Sequence, residues 1–143
     1  MKKEFENRLV YTPDEIAQSY CFGYSLYENG EYERASKIFE ILISHGGAME
    51  KKFWFSLASS LQMLKEYTKA LKAWAMTALL DDKKPLPHFH AAECYISLND
   101  FVEAKKALTE TKKRCLTHLD VSNQDFTNQD FTNQIELLES RCL

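Results

Sequence analysis

A repeat with a period of 34 to 35 residues is the feature that most restricts how this chain can fold. Gly23, Ala58 and Ala92 mark its three copies, and an alanine follows twelve residues after each of them. Apolar residues keep fixed distances from these small residues in every copy. The matching columns are Phe22, Leu57 and Ala91; Leu26, Leu61 and Tyr95; Tyr32, Tyr67 and Phe101; Ala35, Ala70 and Ala104; and Phe39, Trp74 and Leu108. A period of this length is typical of helical repeat proteins.

Each copy is predicted to form two packed helices joined by a short turn. A small residue on the first helix and an alanine on the second allow the two backbones to approach closely, and the large residues around them fill the remaining volume. Turn-forming dipeptides separate the two halves of each copy. They are Asn29-Gly30, Lys65-Glu66 and Asn99-Asp100.

Two points in the sequence have the residues that start helices. Thr12 and Glu15 have the spacing of a capping box around Pro13, and Pro85 and Pro87 stand where the third pair begins. The pattern therefore predicts an all-α chain of three helix–turn–helix repeats, stacked into a concave superhelical array, with one further C-terminal helix. The predicted helices cover 13–28, 31–45, 49–64, 67–81, 86–98, 101–115 and 130–141.

A chain of 143 residues corresponds to one ordinary domain, and we expect a single domain over 1–143. The polar segment 117–134 repeats the pentapeptide Gln-Asp-Phe-Thr-Asn at 124–128 and 129–133 and is interpreted as a linker or helix start. Ile135, Leu137 and Leu138 are expected to form the apolar side of the last helix. The predicted parts are an N-terminal segment at 1–12, repeats at 13–45, 49–81 and 85–116, and a polar linker with a C-terminal capping helix at 117–143.

Composition and charge argue against several classes of function. With 18 Lys and Arg against 21 Asp and Glu, the formal net charge is −3, which does not suit binding to nucleic acid through its phosphates. The four glycines cannot form the common phosphate-binding loops, and no apolar stretch has the length of a membrane span or the character of an export signal. The four cysteines are widely spaced, which favours reduced thiols in a reducing cytoplasm. No cofactor is expected.

The first helix of each copy carries more apolar side chains than its own pairing requires. In the first copy, the face expected to pack against the partner helix is Ser19, Phe22, Gly23 and Leu26. A second row of side chains, spaced by three and four residues, lies on one side of each first helix. We call this row the inner stripe, and it consists of Ala17, Tyr20, Tyr24 and Tyr27; Lys52, Phe55, Ser59 and Gln62; and Leu86, Phe89, Glu93 and Ile96.

In stacked helical pairs the first helices line the concave surface, so the inner stripe is expected to line a groove. Tyrosine provides a large contact area at low entropic cost and a hydroxyl that can reach a peptide backbone. The groove therefore suits an extended peptide, whereas a stripe covered by a neighbouring helix or a dimer partner would be core. The candidate peptide-binding residues are Ala17, Tyr20, Tyr24, Tyr27, Lys52, Phe55, Ser59, Gln62, Phe89 and Glu93.

The repeat pattern resembles the tetratricopeptide repeat over about residues 16–116, although Ser19 and His88 stand where the family often has a tryptophan such as Trp54. Two segments carry a narrower resemblance. They are Tyr-Cys-Phe-Gly-Tyr-Ser-Leu-Tyr-Glu-Asn-Gly-Glu-Tyr-Glu-Arg-Ala at 20–35 and Pro-Leu-Pro-His-Phe-His-Ala-Ala-Glu-Cys-Tyr at 85–95. Both resemble the class II chaperones of type III secretion, also called the LcrH/SycD family.

This resemblance implies a non-enzymatic protein of the bacterial cytoplasm that holds hydrophobic translocator proteins before their secretion. An extended N-terminal segment of the translocator would lie in the concave groove, with neither nucleic acid nor direct membrane insertion involved. Tyr20, Tyr24 and Tyr27 match the groove tyrosines of the family. The other residues that fall on groove-lining columns are Phe55, Ser59, Gln62, Phe89 and Glu93.

Self-association is expected to be weak. Family members usually carry a longer N-terminal extension that is implicated in dimerisation, and here about a dozen residues precede the capping box. A weak homodimer would rely on the short apolar set Phe5, Leu9, Val10 and Tyr11.

The densest group of metal-ligating side chains is His88, His90, Glu93 and Cys94. No second cluster supplies a missing zinc ligand, so packing is the favoured interpretation. Cys94 and His90 lie one helical turn apart, yet a thiol in the middle of a helix lacks the dipole that would activate it as a nucleophile.

Two other binding functions use the same fold. A clamp for a C-terminal carboxylate needs several basic side chains in the groove. Lys52 is the one basic residue of the inner stripe, which argues against a clamp. A scaffold or adaptor that binds a peptide of another protein without chaperoning it is the alternative that the sequence does not separate from a chaperone.

Overall fold

The computed structural model describes residues 11–118 and 128–143, and every regular element within these ranges is helical, as the repeat predicts. The chain divides into two compact units, Met1–Leu80 and Asp81–Leu143, and the single domain over the whole chain stays a prediction. The helices of the first unit are α1 (Pro13–Glu28), α2 (Tyr32–Leu42), α3 (Lys51–Met63) and α4 (Tyr67–Leu80), and those of the second are α5 (Leu86–Ser97), α6 (Phe101–His118) and α7 (Asn128–Arg141).

α1 begins at the capping box that the sequence predicts. The Oγ1 of Thr12 accepts a hydrogen bond from the backbone N–H of Glu15 at 3.2 Å, and the Glu15 carboxylate accepts one from the backbone N–H of Thr12 at 3.0 Å. Pro13 takes the first helical position, where an N–H would lack an intrahelical partner. Pro85 and Pro87 likewise stand at the start of α5.

The turn inside each helix pair is built in the same way in all three copies. Gly30, Lys65 and Asn99 hold equivalent positions with positive φ angles of 81°, 61° and 60°. The next backbone N–H then reaches back to a carbonyl in the last part of the first helix, an arrangement known as the Schellman motif. These bonds run from Glu31 to Leu26 at 2.9 Å, from Glu66 to Leu61 at 3.0 Å, and from Asp100 to Tyr95 at 2.9 Å.

In the core of the first unit, small residues allow the helices to approach closely. A Cβ added to Gly23 would lie 2.9 Å from the ring of Phe39, so α1 and α2 are as close as this residue permits. Ala58 and Ala70 are fully buried in α3 and α4, and Trp74 is 1% exposed. The small residues of the repeat columns, with the large residues Phe39 and Trp74, therefore form the interior of the unit.

α2 ends earlier than the predicted limit of residue 45. Its regular turns stop at Leu42, and a wider π-type turn covers Ile43–Gly47. His45 has φ −106° and ψ 41°, and Gly46 has φ 103°, a left-handed conformation that glycine adopts without strain. The other predicted helix limits agree with the structure to within three residues.

The second unit packs α7 against α5 and α6. Its core contains Phe89 and Ile96 from α5, Leu108 from α6, and Ile135 and Leu138 from α7. α7 begins at Asn128, so the second copy of the duplicated pentapeptide is helical, whereas 124–127 lie outside the described residues.

Two apolar side chains that were predicted to face the core are exposed. Leu137 is 63% exposed, because a residue two positions after Ile135 is rotated by about 200° around the helix and lies on the side away from the core. Phe22 is 51% exposed, although Leu57 in the same column is buried. The reason is that α3 lies between α2 and α4, whereas α1 packs mainly on α2.

We expect Gly47→Ala to destabilise the protein by about 3 kcal/mol, because the new Cβ would lie 2.5 Å from both the Leu42 carbonyl oxygen and the ring of Phe53. Gly30→Ala is the matched control: it has φ 81° and no heavy atom within 4 Å of the added Cβ, so it carries only backbone strain of about 1 kcal/mol. Urea unfolding at 25 °C measures both. Equal losses would contradict the close packing at Gly47.

Candidate functional site

Tyr20 joins the α1 and α3 parts of the inner stripe. Its half-buried ring has its centroid 5.9 Å from that of Phe39 and 5.6 Å from that of Phe53, and its hydroxyl lies 3.4 Å from Ser56 Oγ. The Nζ of Lys52 lies 5.1 Å from the centre of the same ring, a cation–π distance. Tyr20 is therefore anchored on the core by one face while Lys52 stands over the ring.

Tyr24 and Tyr27 extend this aromatic surface along α1. Tyr24 is 48% exposed and has its ring centroid 6.4 Å from that of Tyr20. Tyr27 is half-buried, and its ring meets that of Tyr32 edge-on, with 5.3 Å between the two ring centroids. Burial, with the neighbouring phenols of Tyr32 and Tyr24, raises the pKa of Tyr27, so its hydroxyl stays a hydrogen-bond donor at neutral pH. Ala17 is exposed at the start of the row.

The α3 part of the inner stripe is held by α4. The ring of Phe55 meets that of Trp74 edge-on at 5.0 Å, and the Trp74 indole N–H donates to Gln62 Oε1 at 2.9 Å. Ser59 donates to the carbonyl of Phe55 at 2.9 Å. Phe55, Ser59 and Gln62 are half-buried, so each has an accessible side, and Lys52 is exposed.

The α5 part lies in the second unit and differs from the expected open lining. Phe89 is 6% exposed, and its ring lies 5.1 Å from that of Phe131 in α7. The carboxylate of Glu93 lies 2.5 Å from His90 Nδ1, with both side chains about one-third exposed. The ring of Phe89 therefore belongs to the core of this unit, because α7 covers it, and only Glu93 and Leu86 keep substantial exposure.

The structure brings the α1 and α3 residues of the inner stripe into one surface and adds partners that the sequence analysis missed. Ser56 and Phe53 support Tyr20, and Trp74 supports both Phe55 and Gln62. Trp74 falls on a repeat column, so its burial was predictable, but its hydrogen bond to a side chain twelve residues away was not. The resulting surface is aromatic, with hydroxyl, amide and ammonium groups as donors.

The described residues contain no metal-binding cluster, and Cys94, the candidate nucleophile, is not activated. No group of three His, Cys, Asp or Glu side chains in 11–118 and 128–143 is placed to hold a metal ion. Cys94 is fully buried, and burial raises the pKa of its thiol to about 12, with Glu93 adding to the shift. A thiol with this pKa is protonated at neutral pH and is not a nucleophile.

His88 belongs to the candidate ligand group that also contains His90, Glu93 and Cys94. Its neighbours lie on α6 and in the loop before α5. It lies near Arg114, Glu110 and Asp82, and burial, with Arg114 adding to it, lowers its pKa. Its Nε2 is buried and has no hydrogen-bond partner among the described residues. His88 is therefore neutral at physiological pH and packs as an aromatic ring.

Within 11–118 and 128–143, none of the helices combines the length and the hydropathy that crossing a bilayer would require.

Comparison with known proteins agrees with this geometry. A family model for the tetratricopeptide repeat matches residues 52–84, which form the second helix pair. Low calcium response locus protein H of Yersinia pestis is 31% identical over 97 residues, 66% of this chain and 56% of that protein, so the match spans little more than half the length of this relative.

Two solved structures share the fold over most of the chain. A chain of the CopN–Scc3 complex is 31% identical, with a TM-score of 0.76, and the match covers 88% of this chain and 70% of that one. The type III secretion translocator chaperone SycD of Yersinia enterocolitica is 26% identical, with a TM-score of 0.73, and the match covers 90% and 91%.

The chain belongs to the class II chaperones of type III secretion. This membership confirms the tetratricopeptide fold predicted from the repeat. The peptide-binding role of the individual inner-stripe residues in this class II chaperone stays a prediction.

Replacing Gln62 in this class II chaperone tests the support of the α3 surface. We expect Gln62→Leu to destabilise the protein by about 1–3 kcal/mol, because the indole N–H of Trp74, a residue only 1% exposed, loses the acceptor that this amide provides. Ser59→Ala is the control, since its hydroxyl donates within its own helix and its loss should cost less than about 0.5 kcal/mol. Urea unfolding followed by tryptophan fluorescence compares them, and equal values would contradict the importance of the Gln62–Trp74 bond.

Thiol labelling tests the burial of Cys94. In native protein at pH 8, we expect iodoacetamide to modify the exposed Cys21 first, Cys115 more slowly because burial raises its pKa, and Cys94 not at all. Peptide mass spectrometry measures the three rates, and unfolding in urea should make them equal. Labelling of native Cys94 at the rate of Cys21 would instead indicate an activated thiol.

Proposed function

We propose that this protein is a non-enzymatic chaperone of the bacterial cytoplasm. It binds an extended N-terminal segment of a hydrophobic type III translocator on its inner stripe and keeps that translocator soluble until export. The observation that carries this proposal is the aromatic surface of α1, on which Tyr24 is 48% exposed beside the half-buried Tyr20 and Tyr27. Membership in a family that includes the translocator chaperone SycD supports it.

The aromatic surface is suited to binding a flexible chain. A tyrosine ring has few rotatable bonds, so little entropy is lost when a ligand covers it, and its contact area is large. Tyr20 is already fixed by Phe39, Phe53 and Ser56, which makes the centre of the surface rigid before a ligand arrives. A rigid surface spends less of its binding free energy on ordering itself.

The polar groups around the rings match the requirements of a peptide backbone. An extended segment has unpaired N–H and C=O groups, which need partners when they leave water. Tyr24 and Tyr27 offer hydroxyls, and the oxygen of Ser59 keeps acceptor capacity while it donates to Phe55. The surface can therefore bind apolar side chains on its rings and the backbone at its edges.

A chaperone of this kind acts by covering apolar segments. A hydrophobic translocator exposes apolar surface that would associate with other copies, and binding a linear segment removes part of that surface from solution. No chemical step is required. We include in the proposal the single domain of three repeats, with Ala17, Lys52, Phe55 and Gln62 as further residues that contact the extended segment. Phe89 and Glu93 are included as residues that contact the rest of the client.

Homodimer formation is a separate matter. Phe5, Leu9 and Val10 lie outside the described residues, whereas Tyr11 is 5% exposed and its ring lies 4.9 Å from that of His45. The ring of Tyr11 is thus covered by its own chain. A weak homodimer stays a prediction that rests on the other three residues.

Replacing Tyr24 tests the binding surface. We expect Tyr24→Ala to weaken binding of the translocator about 30-fold, the effect of losing a contact worth about 2 kcal/mol. Phe22→Ala is a closely matched control, since Phe22 is an aromatic residue on the same helix, 51% exposed, and two residues away on the opposite side. Co-expression with candidate translocators identifies the client, and titration of its N-terminal segment measures the affinity.

Both variants should keep the helical circular dichroism of the unchanged protein. Equal affinities of the two variants would reject the inner stripe as the binding surface. If no co-expressed translocator becomes soluble with the unchanged protein, the chaperone function itself is rejected.

A further inference from the structure

The inner stripe is covered in the third repeat and accessible in the first two. Phe89 and Ile96 on α5 are 6% and 7% exposed. Their repeat equivalents in the first unit, Tyr20 and Tyr27 on α1, are half-buried. These two columns thus hold apolar or aromatic side chains on both α1 and α5, and among the described residues α7 lies over them on α5.

The cover is one side of α7. Phe131 places its ring 5.1 Å from that of Phe89, and Ile135 and Leu138 are 3% and 7% exposed in the same cluster. These three residues are spaced by four and three, so they form a single helical face. Leu137, at 63% exposed, and the amide-rich remainder of α7 face away from the cluster.

Few apolar side chains hold α7 in this place. Docking orders the fourteen residues of α7. Its apolar contacts come from Phe131, Ile135, Leu138 and Cys142, near the end of the chain. An ion pair joins Lys112 to Glu139, but both side chains are more than one-third exposed, so it contributes little. Ordering a segment of this length opposes the gain from burying so few side chains.

We propose that the face of α5 formed by Phe89 and Ile96 is a second client-binding surface, and that α7 is its intramolecular competitor. The partner that this surface fits is an amphipathic helix with an aromatic residue at position i and aliphatic residues at i+4 and i+7. This is the pattern by which α7 itself occupies the surface. The proposal rests on the proposed function, because the helix would belong to the same translocator whose extended segment binds α1 and α3.

The competition follows from the shared surface. A client helix can reach Phe89 only in molecules from which α7 has detached. The apparent affinity for the client helix is therefore the intrinsic affinity multiplied by the fraction of molecules in which α7 is detached. Weakening the docking of α7 therefore strengthens binding of a client that uses this surface. It leaves unchanged the binding of a segment that contacts only the first unit.

The test compares two substitutions on α7 in the full chain. Phe131→Ala removes the ring that covers Phe89, and Leu137→Ala removes an exposed side chain from the same helix. The probes are the translocator that co-expression with this chain makes soluble, at full length, and a peptide of its N-terminal segment. We expect Phe131→Ala to bind the full-length translocator roughly 3- to 10-fold more tightly than Leu137→Ala, with equal affinities for the peptide.

A second measurement does not depend on a substitution. In the unchanged protein, hydrogen exchange at the amides of 131–141 should accelerate when the full-length translocator binds and stay constant when the peptide binds. Glu139→Gln, which removes the ion pair with Lys112 without touching the core, should shift affinity in the same direction as Phe131→Ala by a smaller factor.

The outcomes separate this inference from the proposed function. If the peptide binds through Tyr24 but α7 stays equally protected with the full-length translocator, and Phe131→Ala behaves like Leu137→Ala, the second surface is rejected and the chaperone function stands. If neither probe binds the unchanged protein, both proposals fail.

Discussion

The close approach of the two helices in each pair is the constraint on which the rest of the structure depends. Ala58, Ala70, Ala92 and Ala104 are all fully buried, and Gly23 leaves no room for a Cβ beside Phe39. Close packing of this kind needs only one side of each first helix. The other side can therefore carry aromatic side chains that are not required for the stability of the pair.

The two units use this second side differently. On α1 and α3 the rings are supported from beneath by Phe53 and Trp74 and stay accessible to a ligand. On α5 the corresponding ring of Phe89 is covered by Phe131. One repeated arrangement of side chains thus provides a ligand-accessible surface in the first unit and a docking surface for the chain's own last helix in the second.

Features set by neighbouring residues could be predicted from the sequence, whereas those set by distant contacts could not. The capping box at Thr12 and the tight turns at Gly30 and Asn99 depend on a few adjacent residues, and they gave helix limits close to the observed ones. The burial of Phe89 depends on a helix more than thirty residues away, for which periodicity holds no signal. The exposure of Phe22 was missed because a repeat pattern treats all copies alike, although α1 has fewer neighbours than α3.

The tight turn inside each pair also limits where the chain can change in length. The left-handed residue and the hydrogen bond that reaches back across it leave no spare position between the two helices. One inserted residue there would rotate the second helix by about 100° and swing its alanine out of the contact with the first. Each turn therefore sets the rotational phase of the helix that follows it. Insertions can be absorbed only outside the helix pairs.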